Sequence, residues 1–253
     1  MVTQRLVVVT GAGRGIGRAI ALRLAAAGHR VAVVGRDEDA LEGVQADAGA
    51  DAGRMVAVRC DVTDESDVRS MSEGLASAEI LVNNAGVSSA SPLTSTSLAD
   101  WHAQLDGNAT SAFLVTRAFL PWLREGGWGR ILNIASTASR VGTPYTGAYT
   151  ASKHAMLGLT RVVAAELVGT GVTCNALCPT FVRTAMTDRT ISGITKATGR
   201  SARDAERALE SASPLGRLLD PGEVAAAAAY LVSEEAGCVN GQALVLDGGG
   251  LQK

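Results

Sequence analysis

The sequence predicts an α/β fold, in which a parallel sheet is covered by helices on both faces. Short apolar runs rich in β-branched residues alternate along the chain with longer Ala/Leu-rich stretches of helical period. The apolar runs are nearly continuous, as expected for strands that are buried on both faces. The chain has 253 residues, a length that one α/β domain can occupy, so we expect a single domain over residues 1–253.

The order of elements follows from these two patterns. The apolar runs predict about seven strands, at residues 6–10, 31–35, 55–60, 80–83, 130–135, 172–177 and 243–246. The periodic stretches predict helices at residues 16–27, 39–48, 64–76, 109–124, 149–168 and 221–232. The polar and charged segment 184–217 has neither pattern, and we expect it to be a long insert that acts as a lid over the substrate or as a partner surface.

Composition and charge argue against several classes of protein. The net charge is −2, the isoelectric point is about 5.9, and Lys and Arg are scattered, so we expect no nucleic-acid partner. The apolar run after Arg5 is too short for a signal peptide or a membrane span, which predicts a cytoplasmic protein without a membrane partner. Cys174 and Cys178 lie in a strand-like segment without His or carboxylate ligands nearby, so no metal is expected.

Residues 7–20, VVVTGAGRGIGRAI, read as a strand, a glycine-rich turn and the start of a helix. Glycines let the backbone turn tightly and approach a ligand closely, and the amide groups of the following helix would face a pyrophosphate. This is the dinucleotide-binding arrangement of Rossmann-type, doubly wound sheets. The residues predicted to contact the cofactor in this turn are Gly11, Gly13, Arg14, Gly15, Ile16 and Gly17.

The end of the second predicted strand bears on the choice between NAD and NADP. Gly35 leaves room at the strand tip, and Arg36 offers a guanidinium that can bind a 2′-phosphate, with Arg14 able to approach it from the glycine turn. This combination favours NADP(H). Asp37 gives the alternative, because a carboxylate twenty residues after Gly17 could bind the ribose 2′-hydroxyl and select NAD.

A tyrosine and a lysine one helical turn apart, in YTASK at residues 149–153, predict a proton-transfer site. Tyrosine has a pKa of about 10, so we expect the ammonium of Lys153 to lower the pKa of Tyr149 towards neutrality. Ser136 follows the strand 130–135 at the carboxyl edge of the sheet, where ligands of open α/β sheets bind, and could hold a substrate oxygen. The alternative is a core tyrosine, a surface lysine and a turn serine.

Four motifs occur in order and at suitable distances: TGAGRGIG (10–17), NNAG (83–86), NIAS (133–136) and YTASK (149–153). With LDGG at 246–249, they resemble the single-domain branch of the short-chain dehydrogenase/reductase family over essentially the whole chain. The stretches around them look most like bacterial 3-oxoacyl and polyketide-type ketoreductases. The resemblance implies an NADP(H)-dependent oxidoreductase that transfers hydride between nicotinamide and a ketone or secondary alcohol, and a homo-oligomer, either a tetramer or a dimer.

The resemblance also implies roles for single residues. Tyr149 matches the general acid–base, and Ser136 matches its substrate-orienting partner. Lys153 matches the residue that binds the ribose and lowers the tyrosine pKa, while Asn108 in DGNATSAF matches the anchor of a proton-relay water. Further residues that match cofactor contacts are Asp61, Val62, Asn83, Ala85, Gly86, Pro179, Val182 and Thr184. The chain departs from the family at Thr180, where the family has glycine, which predicts less backbone freedom and different room beside the nicotinamide.

Substrate selection is expected from the residues after β-strand 130–135 and from the insert 184–217. The residues that could line the pocket are Ser136, Thr137, Ser139, Thr143, Tyr145 and Thr180. Carrier-protein-dependent relatives tend to have basic residues where this chain has Gly127 and Thr170, so a CoA thioester or a free ketone is as plausible as an acyl carrier protein. Two alternatives are an NAD-dependent hydroxyacyl or alcohol dehydrogenase and a non-catalytic NADP-sensing or interaction protein on the same fold.

Overall fold

Seven parallel strands form one sheet in a computed structural model that describes residues 3–252. The order across the sheet is β3-β2-β1-β4-β5-β6-β7. The strands are β1 Leu6–Thr10, β2 Arg30–Gly35, β3 Met55–Arg59, β4 Ile80–Asn83, β5 Gly129–Ile134, β6 Val172–Pro179 and β7 Ala243–Leu246. The predicted α/β class and the seven-strand parallel sheet are therefore confirmed.

Helices cover both faces of this sheet. They are α1 Gly15–Ala26, α2 Glu38–Asp47, α3 Glu65–Gly74, α4 Leu98–Leu105, α5 Ser111–Gly126, α6 Gly147–Glu166, α7 Ala185–Thr198, α8 Ala202–Ser211 and α9 Pro221–Leu231. Residues of α1, α2 and α9 form one apolar core with Val7 and Val9 of β1, whereas residues of α3, α5 and α6 form another with Val8. This alternation along β1 is the two-residue period of a strand that is buried on both faces.

The connections reverse direction between β1 and β4, which are neighbours in the sheet. From β1 the chain proceeds outward to β2 and β3, then returns to β4 and proceeds to the other side. Ligands of doubly wound sheets bind outside the carboxyl ends of the strands at such a switch point. The segments that follow Thr10 and Asn83 therefore border the expected site.

Three helices lie where the sequence pattern predicted none, and two of them, α7 and α8, occupy the 184–217 insert. These three helices bury few residues, and in α4 only Gln104 is fully buried. Hydrogen-bonded caps mark two of the starts instead. The side chains of Ser97 and Ser201 accept backbone amides at 3.0 and 3.2 Å at the beginnings of α4 and α8.

None of the helices in the described part of the chain is long and apolar enough to cross a bilayer. Within residues 3–252, no group of three His, Cys, Asp or Glu side chains could hold a metal ion. All four cysteines are free thiols; three are buried and Cys238 is exposed.

Candidate active site

The glycine-rich turn joins β1 to α1 at the carboxyl edge of the sheet. No side chain caps the start of α1, and its first turn contains no acidic residue. The amide groups at this terminus are therefore available to an anion, which the helix dipole also favours. Gly11 and Gly15 have φ values of +62° and +55°, while Gly13 lies against Ala40 of α2 and Ile16 packs against the core. The pyrophosphate of a dinucleotide fits this terminus.

Asn84 connects the glycine turn to the end of β4. Its Nδ2 donates hydrogen bonds to the carbonyl oxygens of Thr10 at 2.9 Å and Gly11 at 3.1 Å. The Thr10 hydroxyl accepts from the backbone amides of Asn84 at 3.0 Å and Ala85 at 3.1 Å. A Cβ atom at Gly17 would lie 2.4 Å from Asn84 Nδ2, so this glycine leaves room for the connection. Sequence reasoning missed Asn84.

Two arginines lie on an open surface, one directly before the start of α1 and the other directly after the end of β2. The side chains of Arg14 and Arg36 are 66% and 73% exposed. Arg14 Nη2 lies 3.4 Å from Asp37 Oδ2, and Arg36 Nη1 lies 3.5 Å from Asp61 Oδ2. Asp37 is the N-cap of α2, because its Oδ1 accepts the amide of Ala40 at 3.2 Å. The carboxylate that could select NAD is thus already engaged in the fold.

Asp61 and Val62 follow β3 beside this surface. Burial acts to raise the pKa of the Asp61 carboxyl, but hydrogen bonds from Thr63 and the charge of Arg36 outweigh burial and hold that pKa below its usual value. Val62 is buried in the core on the side of α3 and α5. The pair therefore offers a charged carboxylate next to an apolar side chain at the edge of the sheet.

Ser136, Tyr149 and Lys153 meet at the carboxyl edge. Ser136 follows β5, and Tyr149 lies in the first turn of α6, which begins at Gly147. The Ser136 hydroxyl is near enough to the Tyr149 phenol to act on its pKa. Lys153 Nζ lies 5.9 Å from the centre of the Tyr149 ring. The structure thus brings together the three residues that the sequence pattern singled out for proton transfer.

Burial controls the protonation of both ionisable groups. It raises the pKa of the Tyr149 phenol above its usual value, although the nearby Ser136 hydroxyl acts in the opposite direction. It also lowers the pKa of Lys153 to about 8, and the Lys153 Nζ donates to the carbonyl of Ile134 at 2.9 Å. In the free protein the pKa of the Tyr149 phenol is therefore raised, in contrast to the expected lowering, because burial has the largest effect on it.

Asn108 lies in a π-helical turn, Asp106–Thr110, between α4 and α5. It is fully buried, and its Oδ1 accepts the amide of Val87 at 2.9 Å. Its Nδ2 donates to the carbonyl of Val87 and to the hydroxyl of Ser152, both at 3.0 Å. Ser152 donates in turn to the carbonyl of Tyr149 at 2.7 Å. Asn108 is thus linked to the first turn of α6 through Ser152, which sequence reasoning missed.

In the NNAG segment, residues 83–86, the first side chain points into the sheet and the last two residues border the site. Asn83 is 2% exposed, and its Nδ2 donates to Thr116 Oγ1 at 3.0 Å and to Asn133 Oδ1 at 2.8 Å. Because the amide is held inside the sheet, only the backbone of Asn83 remains for the predicted cofactor contact. Ala85 and Gly86 instead lie against the glycine turn and the π-helical turn.

The segment after β6 borders the glycine turn from the other side. Pro179 ends β6, Val182 is buried, and Thr184 lies directly before α7. Thr184 Cγ2 is 3.1 Å from the position of a Cβ at Gly15, so the two predicted cofactor-binding segments are in contact. This juxtaposition fits a dinucleotide that spans from the α1 terminus to the end of β6.

Thr180 has an ordinary backbone in place of the family glycine. Its amide donates to the carbonyl of Leu246 at 3.0 Å, which extends the pairing of β6 with β7. Among the residues that the structure describes, Tyr145 is the only non-glycine with positive φ, at +70°. The threonine therefore causes no backbone strain. Tyr145 itself is 66% exposed, and its carbonyl accepts the amide of Ser91 at 2.8 Å.

The other residues predicted to contact the substrate differ in exposure and in their hydrogen bonds. The Ser139 hydroxyl donates to the carbonyl of Ser136 at 2.6 Å and is buried, so it supports the turn after β5. Thr137 starts that turn and is partly exposed. Thr143 is exposed, and its carbonyl accepts the hydroxyl of Thr146 at 2.8 Å. Ser139 is therefore committed to the turn, whereas Thr137 is partly exposed and Thr143 is exposed.

Comparison with known proteins identifies the family of the chain. A family model described as "Enoyl-(Acyl carrier protein) reductase" matches residues 11–250. D-threitol dehydrogenase of Mycolicibacterium smegmatis is 38% identical over 97% of this chain and 92% of its own. The 3-oxoacyl-[acyl-carrier-protein] reductase of Synechocystis sp. is 36% identical over 98% and 97%. The solved structure of a variant actinorhodin polyketide ketoreductase with NADPH superposes with a TM-score of 0.93, at 34% identity over 98% of both chains. The chain therefore belongs to the short-chain dehydrogenase/reductase family and is an oxidoreductase of CH–OH and C=O groups.

Proposed function

We propose that the protein is an NADP(H)-dependent ketoreductase or alcohol dehydrogenase that works through Ser136, Tyr149, Lys153 and Asn108. When bound, the cofactor supplies or accepts the hydride at nicotinamide C4. One observation carries the proposal: the Ser136 hydroxyl, the Tyr149 phenol and the Lys153 ammonium meet at the carboxyl edge of the sheet. The uncapped start of α1 and the glycine turn lie at the same edge, where a dinucleotide would bind.

In the reduction direction, Tyr149 is the proton donor. Its raised pKa keeps the phenol protonated at neutral pH, so it can give its proton to the oxygen of a carbonyl whose carbon receives the hydride. Ser136 is close enough to the phenol to hold the same oxygen. The phenolate left behind is stabilised by the Ser136 hydroxyl and by Lys153, which is mostly ammonium below pH 8. Asn108 would anchor the water that returns the proton.

The surface at the end of β2 supports NADP(H) over NAD. Asp37 is occupied as the cap of α2, whereas Arg14 and Arg36 are mostly exposed. Their ion pairs with Asp37 and Asp61 are long, and exposed pairs of this kind contribute about 0–1 kcal/mol. Both guanidinium groups can therefore turn to a 2′-phosphate at little cost. The ketoreductase compared above holds NADPH, which supports the same choice.

We expect Arg36→Asp to reduce the preference for NADPH over NADH at least ~10-fold. The variant removes a charge-assisted hydrogen bond worth about 1.5–3 kcal/mol and places a carboxylate where the 2′-phosphate would lie. The measurement is kcat/KM with each cofactor at a fixed substrate concentration. Arg23→Asp is the matched control. This exposed arginine lies in the last turn of α1, so its replacement gives the same charge change at the opposite end of the helix from Arg14. An unchanged ratio in Arg36→Asp would favour the NAD alternative with Asp37.

The substrate is proposed to be a 3-oxoacyl thioester or a related ketone. The ketoreductase and the 3-oxoacyl reductase support this class, while the threitol dehydrogenase supports a polyol. A coupled assay with NADPH and NADH across CoA and carrier-protein 3-oxoacyl thioesters, cyclic ketones and polyols would distinguish them. NADPH binding without turnover of any of these compounds would instead indicate a cofactor-sensing protein on the same fold.

We propose a homo-oligomer, either a dimer or a tetramer, whose contacts would involve apolar side chains that are exposed on the single chain. They are Phe113, Val162, Val168, Tyr230 and Leu244. We expect light scattering to give a multiple of the 25.8 kDa chain mass, and Val162→Glu to lower it. A monomeric mass for the unmodified protein at micromolar concentration would contradict this proposal.

A further inference from the structure

Three contacts join β5 to α6 and place the proton-transfer residues. Asn133 Nδ2 donates to Thr160 Oγ1 at 2.8 Å. The carbonyl of the next residue, Ile134, accepts from Lys153 Nζ at 2.9 Å. Ser136, two residues further, is near enough to the phenol of Tyr149 to act on its pKa. The chain runs towards the carboxyl edge in β5 and away from it in α6. Residues further along β5 and the segment after it therefore contact residues nearer to the start of α6.

The pair of Asn133 and Thr160 is the deepest of these contacts. Both side chains are almost completely buried, and Thr160 also donates to the carbonyl of Met156 at 2.9 Å within α6. Lys153 and Thr160 are seven residues apart, so they share one face of the helix. A shift of α6 along or away from the sheet would break this buried hydrogen bond without replacement by water, which makes the position of the helix well defined.

Asn133 is itself fixed from the opposite side. Its Oδ1 accepts from Asn83 Nδ2 at 2.8 Å, and Asn83 also donates to Thr116 of α5 at 3.0 Å. The second hydrogen of the Asn133 amide points to Cys174 Sγ at 3.8 Å on β6. The amide is therefore held by β4 and β6, and it provides a rigid reference against which α6 is placed.

We propose that Asn133 and Thr160 form a positioning pair that fixes α6 relative to β5 and so sets where Tyr149 and Lys153 lie against Ser136. The inference rests on the proposed function for its effect on turnover, since it assigns Asn133 and Thr160 no contact with substrate or cofactor. Thr116 is a buried threonine in the same hydrogen-bonded chain, but it lies on α5, which carries none of these three residues.

Thr160→Val tests the pair, and Thr116→Val is the matched control. Each replaces a buried hydroxyl that accepts an amide hydrogen with a methyl group of similar size. We expect both to lower the thermal midpoint by similar amounts, and only Thr160→Val to change the environment of Lys153. Thr160→Ser keeps the hydroxyl and is expected to restore the unmodified behaviour.

The first readout needs no substrate. The chain contains three lysines, Lys153, Lys196 and Lys253, so NMR of lysine labelled at Cε gives few signals, and Lys153→Arg assigns the one of interest. In the unmodified protein the pKa of Lys153 is expected near 8 because the side chain is buried. In Thr160→Val it should move towards 10.5 as α6 loosens and water enters, whereas Thr116→Val should leave it unchanged.

The second readout is turnover with NADPH. Misplacement of reacting groups by about 1 Å can cost about 100-fold, so we expect kcat to fall at least ~10-fold in Thr160→Val with KM for NADPH little changed. Thr116→Val should stay within about twofold of the unmodified protein.

If Thr160→Val and Thr116→Val have the same Lys153 titration and the same kcat, the pair is merely structural and the inference is overturned. If Thr160→Val does not fold, Thr160→Cys replaces it, since a thiol is only a weak acceptor. Absence of turnover in the unmodified protein would contradict the proposed function, and the lysine titration alone would then decide the positioning role.

Discussion

Tyr149→Phe is expected to reduce carbonyl reduction about 10²- to 10⁴-fold while NADPH binding stays intact. The variant removes only the phenolic oxygen, which is the proton donor next to the Ser136 hydroxyl. Phenylalanine keeps the ring and its packing in the first turn of α6, so the fold should be preserved. The measurements are kcat with the best ketone of the assay panel and the dissociation constant of NADPH from quenching of tryptophan fluorescence.

Tyr230→Phe is the control for this change. Tyr230 lies on α9 with its side chain about half exposed, and none of the proposed site residues is on that helix. We expect unchanged kcat and unchanged NADPH binding for this variant. Full turnover by Tyr149→Phe would show that another group gives the proton, and loss of NADPH binding would show that the phenol serves the cofactor instead of the reaction.

The fold could be predicted wherever burial on both faces makes the chain apolar. The predicted bounds of β1, β4 and β7 match the structure, because these strands are short apolar runs between turn residues. The helices α4, α7 and α8 were not predicted in this way, since each buries at most two residues completely. The capping serines of α4 and α8 are a signal that the pattern reading did not use.

The site could be predicted in part because some of its residues are close in sequence or end strands. Tyr149 and Lys153 share a helix face by spacing alone, and Ser136 is placed by the end of β5. Asn84 and Ser152 act through contacts with residues 74 and 44 positions away, which no local pattern contains. The roles of these two residues follow only from the topology, which places β4 beside β1 and α6 beside the π-helical turn.

Two details of the site depend on packing that the sequence does not display. Asn83 was expected among the cofactor contacts, and because a strand alternates its side chains, its amide points into the sheet while Asn84 faces the glycine turn. A contact of Asn83 with the cofactor would therefore come from its backbone. The pKa of Tyr149 was expected to be lowered by Lys153, yet burial raises it. The degree of burial depends on the whole packing around α6, whereas spacing fixes only the distance between the two groups.

Gly86→Ala is expected to remove most turnover and to destabilise the fold. A Cβ atom at Gly86 would lie 2.6 Å from Asn108 Oδ1 and 3.7 Å from Lys153 Nζ. Asn108 has no space to move aside, because it is fully buried and bonded to Val87 and Ser152. Overpacking costs about 1–3 kcal/mol, and each buried polar group left without a partner costs about 1–3 kcal/mol more. We therefore expect a loss of about 2–5 kcal/mol in the free energy of unfolding and at least ~100-fold in kcat.

Gly158→Ala separates this steric effect from a general effect of replacing glycine. Gly158 is exposed on α6, and a Cβ there would contact nothing within 4 Å, so the change should stabilise the protein by about 0.5–1 kcal/mol and leave kcat unchanged. Urea unfolding and kcat with NADPH, measured on both variants, decide the outcome. Because Gly86 stands between Asn108 and Lys153, near-normal turnover in a folded Gly86→Ala protein would mean that the distance between these two side chains does not control proton transfer. Loss of turnover without loss of stability would contradict the expected overpacking and would place the whole effect of the substitution in the site.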